Sequence, residues 1–340
     1  MSLKEFFYKI SFLYSFISVR FLMRIANKKV ILPFYHYVDN GNNKLVNNLY
    51  KAKSKKQFIT DIHFFKKNFK SLKINDLINA QPKENSFLLS FDDGLSNFYK
   101  VVVPILQENN LTAVNFVNTA FLANKDLFYR YKVNILLNTL KKNNLTEDTK
   151  KTIVGILGLK IYNLKNVCSK LLKFTIKDLN SIEELGNILG VSFKEFSQNN
   201  MPYLSITQIR ELQKKGFQIG AHSKNHPRYS LLDLENQLQE TLESVKEIKT
   251  IFNTENKVFA FPFSDDGVSK EFFNSMEKEN VITFGSSGLK DENLKHHYQR
   301  IPMEYNTIYS AETIVKGELV YYILKKLLGF NKTKRFSIIL

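Results

Sequence analysis

The sequence predicts an α/β protein with a mostly parallel sheet or barrel, interrupted by a helical insertion. Three observations carry this. Apolar runs such as Ser86–Phe91 and Val258–Phe263 read as strands buried on both faces. Amphipathic helical stripes alternate with them. Residues 126–200 break that alternation: Leu, Ile, Lys and Asn dominate, and stripes recur at Val133–Leu140 and Val167–Phe174, so about 75 residues read as helix without strand.

In chain order, Ile31–Val38 reads as a buried strand running into an Asn- and Gly-rich loop at Asp39–Asn43. Lys56–Phe69 places Phe58, Ile59, Ile62, Phe65 and Phe69 on one helical stripe, with His63 at its surface. Ser86–Phe91 follows, then Asp92-Asp93-Gly94, a helix over Phe98–Asn109 and a strand at Ala113–Val117. After the insertion, in which no catalytic-looking polar cluster stands out, a helix spans Thr207–Lys215 and Gly216 caps it. Phe217, Ile219 and Ala221 alternate into a strand that ends at His222-Ser223-Lys224-Asn225-His226-Pro227. A long helix at Leu234–Phe252, the strand Val258–Phe263, a helix at Ser269–Asn280 and a strand at Val281–Phe284 complete the series. Asp265-Asp266-Gly267 reads mainly as a turn and helix cap before Val268, with pocket contact as the alternative.

Length and composition bound the rest. The chain has 340 residues, 29 of them Phe, enough for a sizeable core. Its one cysteine, Cys168, excludes an intrachain disulfide framework and a CxxC metal site, and reads as a small buried apolar residue. The formal charge is +17, which invites an anionic partner. Only seven of the 49 basic residues are Arg, and no nucleic-acid-binding signature occurs, so no nucleic-acid partner is expected. The charge is uneven. Residues 1–30 hold six basic side chains and one acid, and residues 316–340 the same, so the two ends carry +10 of the +17.

Both ends are also apolar. Ile10–Val19 is too short to span a bilayer and lacks a small-x-small cleavage site, and Tyr321–Leu328 has similar character. Two readings stay open: interfacial helices making peripheral membrane contact, or terminal helices packed on the domain. With no convincing cleavable signal, a cytoplasmic location at the inner face of a membrane is favoured over export. The expected organisation is a basic segment at 1–30, a catalytic domain at 31–310 carrying the 126–200 insertion, and a basic apolar segment at 311–340.

Two segments carry chemistry. Asp92 and Asp93 follow a buried strand, where α/β folds place functional groups, and adjacent residues on extended chain point to opposite sides. One carboxylate can hold a metal while the other serves a water. His222 and His226 lie four apart in a loop after another strand, and neutral imidazoles are common ligands of zinc-type ions. One Asp and two His give three ligands with a position left for water, and the second carboxylate is a natural general base.

With Ser90-Phe91-Asp92-Asp93-Gly94 and His222-Ser223-Lys224-Asn225-His226 in this order, the chain resembles the polysaccharide deacetylases of the NodB-homology type, carbohydrate esterase family four. Tyr35-His36, Phe259-Ala260-Phe261-Pro262-Phe263 and Gln299-Arg300-Ile301-Pro302 extend the resemblance over about residues 30–305. It implies a distorted (β/α)7-type barrel and a hydrolase removing acetyl groups, chiefly N-acetyl, from a surface polysaccharide or a lipid-linked sugar precursor. It implies a divalent metal, foremost Zn2+, on Asp93, His222 and His226. Asp92 would be the general base acting on a metal-activated water, and Pro262 and Phe263 would contact the acetylated amino-sugar glycan or glycolipid.

The sequence departs from the family pattern twice. The arginine expected beside the aromatic-Pro-aromatic motif is absent, and Arg300 is the residue that could pair with Asp92 from a later strand. The family's late general-acid histidine has no clean match. His36, placed to face the barrel mouth, is the leading candidate, while His296 and His297 read as solvated loop residues. Without that acid, the alternative is an inactive glycan-binding module on the same fold.

Overall fold

Eight short parallel strand segments form one sheet that curls into a barrel in the computed structural model of the chain. The structure describes residues 3–39, 44–79, 82, 84–305 and 309–337. The expected loop at Asp39–Asn43 therefore lies outside the described residues beyond its first position, as do the last three residues of the C-terminal segment.

The strands are β1 (Val30–Ile31), β2 (Pro33–Tyr35), β3 (Lys70–Ser71), β4 (Ser86–Phe87), β5 (Ser90–Phe91), β6 (Val114–Val117), β7 (Gln218–Ala221), β8 (Lys257–Ala260), β9 (Val281–Gly285), β10 (His297–Gln299) and β11 (Ile301–Pro302). The barrel order is β10-β9-β8-β7-β6-β5-β2-β11. β10 and β11 are one stretch of chain divided only at Arg300: its first half pairs with β9 and its second with β2. That stretch joins the two ends of the sheet, so the ring has seven strand positions, as the resemblance implied. The expected strands at Ile31–Val38 and Ser86–Phe91 are each split in two. Their first halves, β1 and β4, leave the ring for a small parallel sheet with β3 at the end where the strands begin.

The helices are α1 (Leu3–Lys9), α2 (Val19–Ala26), α3 (Lys55–Asn68), α4 (Ile74–Asn79), α5 (Val103–Glu108, entered through a π-helical turn at Phe98–Val102), α6 (Tyr129–Lys142), α7 (Glu147–Leu157), α8 (Leu164–Leu171), α9 (Leu179–Ile188), α10 (Phe193–Asn200), α11 (Ile206–Lys214), α12 (Leu234–Phe252), α13 (Lys270–Lys278) and α14 (Ala311–Leu327). Local chemistry sets their starts. Ser54 and Ser205 form capping boxes with Gln57 and Gln208, and Asp233 caps α12 through the Asn236 N–H. α6–α10 fill the stretch expected as an insertion and enclose an apolar cluster around Leu136, Ile153, Val167 and Ile182. Cys168 is half-buried at its edge rather than fully buried.

The terminal helices belong to the barrel's outer layer. α14 lies against α1 and α2, and at Gly317 a Cβ would come within 2.5 Å of the Tyr8 ring, so only glycine permits this approach. The buried Tyr8 hydroxyl donates to Glu318 at 2.6 Å, and Lys4 pairs with the same carboxylate at 2.9 Å. The reading of packed terminal helices therefore holds for their inner faces.

Candidate active site

The candidate residues meet where β2, β5, β7, β8 and the β10–β11 stretch end. Asp92 and Asp93 follow β5. The Asp92 N–H donates to Tyr35 O at 2.9 Å, continuing the strand pairing for one residue. Asp93 then turns to φ 71° and Gly94 to φ 64°. A Cβ on Gly94 would lie 2.9 Å from Val117 Cγ1, so the sharp turn that separates the two carboxylates requires glycine on both conformational and steric grounds.

His222 follows β7. Its Nδ1 bonds the carbonyl of Ala260 at 2.8 Å, which turns Nε2 into the site. Ser223 and His226 both adopt positive φ, and the Ser223 hydroxyl accepts the His226 N–H at 3.0 Å. The loop is pinned from outside by Glu240 on α12, whose carboxylate accepts the backbone N–H groups of Lys224 and Asn225 at 3.0 and 2.9 Å. The fold-back expected for this loop thus brings both imidazoles to Asp93. His226 Nε2 lies 3.2 Å and His222 Nε2 3.5 Å from Asp93 Oδ1.

The chemistry of this group fits a divalent cation. All three residues are buried, and Asp93 Oδ1 and His222 Nε2 have no hydrogen-bond partner, which is costly unless a ligand satisfies them. Burial, with the nearby His226 and Arg300 charges, pushes His222 down to about 4 against the pull of the two aspartates. It is therefore neutral, as a metal ligand must be. Burial opposes the Asp93 charge, but the two histidines and His36 outweigh it and hold the carboxyl well below its usual range.

Asp92 faces a different partner. Arg300 Nη1 and Nη2 donate to its two oxygens at 2.7 and 2.8 Å, a bidentate pair in which both side chains are almost wholly buried. The guanidinium is held by the Ser90 hydroxyl at 3.1 Å and by Gly285 O at 3.2 Å, and lies against the rings of Phe34 and Phe116. Burial raises the Asp92 pKa, but Arg300 and then His222 overcome it, so the carboxyl is shifted downward and stays ionised. The missing arginine of the aromatic-Pro-aromatic motif is thus replaced in space from the closing strand.

His36 follows β2. Its Nδ1 and its N–H meet Glu304 Oε2 at 2.7 and 2.8 Å, and Glu304 Oε1 accepts the Tyr37 N–H at 3.0 Å. Burial works against the imidazolium, but the Glu304 hydrogen bond and charge, aided by Asp93 and Asp92, raise His36 to about 9.

His36, Asp92, Asp93, His226, Phe263 and Arg300 line one cleft of about 380 Å³ with Tyr50, Phe128, Arg130, Tyr131 and Glu304. His222 sits just beneath it. Pro262 is buried and is not among the lining residues, whereas Phe263 packs its ring against His226 at 4.9 Å. His296 and His297 lie elsewhere, and the solvated-loop reading fails for His297. It opens β10, is buried, and meets Asp265 Oδ2 at 3.1 Å. Asp265 is accordingly no simple turn residue, and α13 starts from Ser269 instead. Asp265, Glu292 and His297 are grouped closely enough for a metal, but the Arg335 guanidinium already binds both carboxylates there.

Three residues escaped the sequence reading. Glu304 lies two positions past Gln299-Arg300-Ile301-Pro302, so its place at a strand's C-terminal end was a usable signal. Tyr131, from the insertion, donates its hydroxyl to Asp93 Oδ2 at 2.5 Å. No polar cluster in the insertion points to it, and its helical stripe gives no hint of this. Glu240 lies on α12, and only the fold brings it to the histidine loop.

A family profile for polysaccharide deacetylases matches residues 79–157 and 191–281, both sides of the middle of the insertion. The chain belongs to the polysaccharide deacetylase family. It is a hydrolase of acetylated polysaccharide. Among solved structures, this deacetylase is similar to the Streptococcus pyogenes deacetylase PplD solved in complex with acetate (14% identity, 85% of this chain and 98% of that one, TM-score 0.54). It is also similar to a de-N-acetylase from Aggregatibacter actinomycetemcomitans (13%, 84% and 99%, TM-score 0.51) and to IcaB from Ammonifex degensii (13%, 86% and 97%, TM-score 0.50). At these identities the likeness is one of fold. No curated protein matches the sequence significantly.

Proposed function

We propose that this deacetylase is a metal-dependent de-N-acetylase of an amino-sugar glycan, with Asp93, His222 and His226 as ligands of a divalent cation, foremost Zn2+. The observation that carries the reading is the pairing of partnerless, buried Asp93 Oδ1 and His222 Nε2 with two differently tuned groups, Asp92–Arg300 and His36–Glu304, around one cleft. Two imidazoles and one carboxylate suit zinc and leave room for a water.

When bound, the cation supplies positive charge that polarises the acetyl carbonyl and makes a water more acidic. Asp92 accepts a proton from that water as its oxygen bonds the carbonyl carbon. Arg300 fixes the plane of the Asp92 carboxylate, and its own charge keeps that carboxylate ionised and ready. The C–N bond then breaks, and His36 donates its proton to the departing nitrogen, leaving acetate and a free amino sugar. An amine leaves only when protonated, and a histidine raised to about 9 carries that proton at neutral pH. Tyr131 fixes Asp93 from the side away from the histidines, and Phe263 with Phe128 offers an apolar wall to a sugar ring.

The rival reading, an inactive glycan-binding module, was motivated by the lack of a general acid, and the His36–Glu304 pair answers that lack. The test is acetate release from N-acetylated amino-sugar oligomers. Asp93→Ala is expected to lose both metal and activity, while Asp92→Asn keeps the metal and loses turnover. Full activity in either variant overturns the proposal.

A further inference from the structure

At the end of the barrel opposite the catalytic cleft, the starts of β1, β3 and β4 meet α2 and the end of α3 in a second, open cleft of about 500 Å³. Its lining is strongly cationic: Arg20, Arg24, Lys29, Lys66, Lys67 and Lys70 are there, with Lys28 beside them. The one acid in the lining, Glu84, pairs with Lys70 at 3.1 Å, and Lys28 is turned to Asp291 at 2.5 Å. Seven basic groups against the one acid in the lining, with Lys28 alone turned to an acid outside it, make a focused positive field in a chain whose residues 31–315 carry only +7 in all.

The surface next to this cleft is apolar and exposed. α2 supplies Arg20 and Arg24 to the cleft and, one position further on, exposes Phe21 and Ile25. The turn before it exposes Phe12 and Phe16, the latter 82% accessible. The end of α14 comes alongside, with Lys326 Nζ reaching Ala26 O at 3.3 Å, and exposes Leu327 at 79% and Leu328. Large aromatic and aliphatic side chains are rarely left in water in such a group. No helix among the described residues is long and apolar enough to cross a membrane.

We infer that α2, the turn before it, the end of α14 and the adjoining cationic cleft form one docking surface for an anionic phospholipid bilayer. Exposed Phe and Leu side chains enter the headgroup–acyl boundary, and the Lys and Arg side chains meet lipid phosphates, the two signals that together hold a protein at an interface. Charge complementarity selects this occupant: a second copy of a chain with net charge +17 would bring cationic cleft against cationic cleft. The orientation has a consequence for the reaction. With this end on the bilayer, the catalytic cleft opens away from it, so the glycan is met as a chain extending from the surface rather than as a sugar at the lipid headgroup.

The test is co-sedimentation of the full chain with phosphatidylcholine vesicles, with and without added phosphatidylglycerol. Binding is expected only to the anionic vesicles and is expected to weaken with salt. Each basic side chain at the surface contributes about fivefold, so Arg24→Glu/Lys29→Glu/Lys67→Glu is expected to bind at least about a hundredfold more weakly. Phe16→Ser/Leu327→Ser is expected to lose binding with an unchanged melting temperature, since both side chains already face solvent. The inference is overturned if anionic vesicles are not bound, if both vesicle types are bound equally, or if either variant binds as the parent does. It is also overturned if the protein is a dimer without lipid and Phe16→Ser/Leu327→Ser makes it a monomer. Binding is read without turnover, so its failure and that of the de-N-acetylase reading are separable, and acetate release by the variants shows that their catalytic cleft is intact.

Discussion

Each of the two residues proposed for acid–base work owes its shifted proton affinity chiefly to one partner brought from the last barrel strand or just beyond it. Arg300 holds Asp92 ionised, and Glu304 holds His36 protonated. The His36 shift has a definite sign. The imidazole is raised from its ordinary 6.5 to about 9, so the charged form persists through neutral pH and is lost only as pH rises through about 9. The alkaline limb of kcat/KM is therefore expected near that value. Glu304→Gln removes the carboxylate that raises it, so the limb moves down toward 6.5. A limb that stays in place in Glu304→Gln would assign the acid to another group. Asp92, Asp93, His222 and His226 were readable from two short motifs, because chemistry at a strand end confines itself to a few consecutive residues. Glu304 leaves only the weaker signal of its position just past a strand end, because a lone carboxylate is tied to a role only once its partner is known.

Among the elements, the helical insertion is the one whose place relative to the site the sequence leaves most open. Its repeated apolar stripes describe how α6–α10 pack among themselves, and they do so correctly. They are silent on the first turn of α6, where Phe128 meets the His226 ring at 4.1 Å and Tyr131 reaches Asp93. The insertion is thus a wall of the catalytic cleft as well as a separate cluster. Tyr131→Phe keeps the ring and removes only the hydroxyl bond to Asp93. If Asp93 holds the proposed metal, loss of this outer partner is expected to cost about 10–100-fold in metal affinity or activity. Metal titration of the folded variant by calorimetry checks this, and an unchanged affinity would leave Tyr131 a packing residue. The split of the two expected strands belongs to the same scale: a continuous apolar run registers burial, but not that its first half pairs in one sheet and its second in another.

For the whole molecule, the proposed ligand atoms are buried and partnerless in the native state, so the proposed metal would link its binding to folding. A ligand that binds only the folded state stabilises it by about 2.7 kcal/mol at a hundredfold excess over Kd. Saturating Zn2+ is therefore expected to raise the melting temperature by several degrees, and a chelator to reverse it. Asp93→Ala should melt at the same temperature with and without Zn2+. An equal response in parent and variant would place the stabilising ion elsewhere. The charge distribution also belongs to this scale. The two ends that hold +10 of the +17 come together through α14, and the cationic cleft they border draws Lys66, Lys67 and Lys70 from a third part of the chain.

The sequence by itself determined the fold class, the seven-strand barrel implied by the resemblance, and the four residues of the Asp-Asp and His-x-x-x-His motifs. The fold class and the four motif residues are matters of local pattern or near neighbours, namely apolar periodicity, strand ends and a four-residue spacing, whereas the seven-strand barrel came only with the family resemblance. The sequence offered Arg300 as a partner for Asp92, but only the tertiary structure decided that the two pair, which carboxylate raises His36, that Tyr131 reaches Asp93, and that His297 is buried with Asp265 around Arg335 rather than solvated. Those pairings join residues from 32 to 268 positions apart. They follow from barrel closure at Arg300 and from the packing of α6 over the mouth, which depend on how all the elements fill one shared interior.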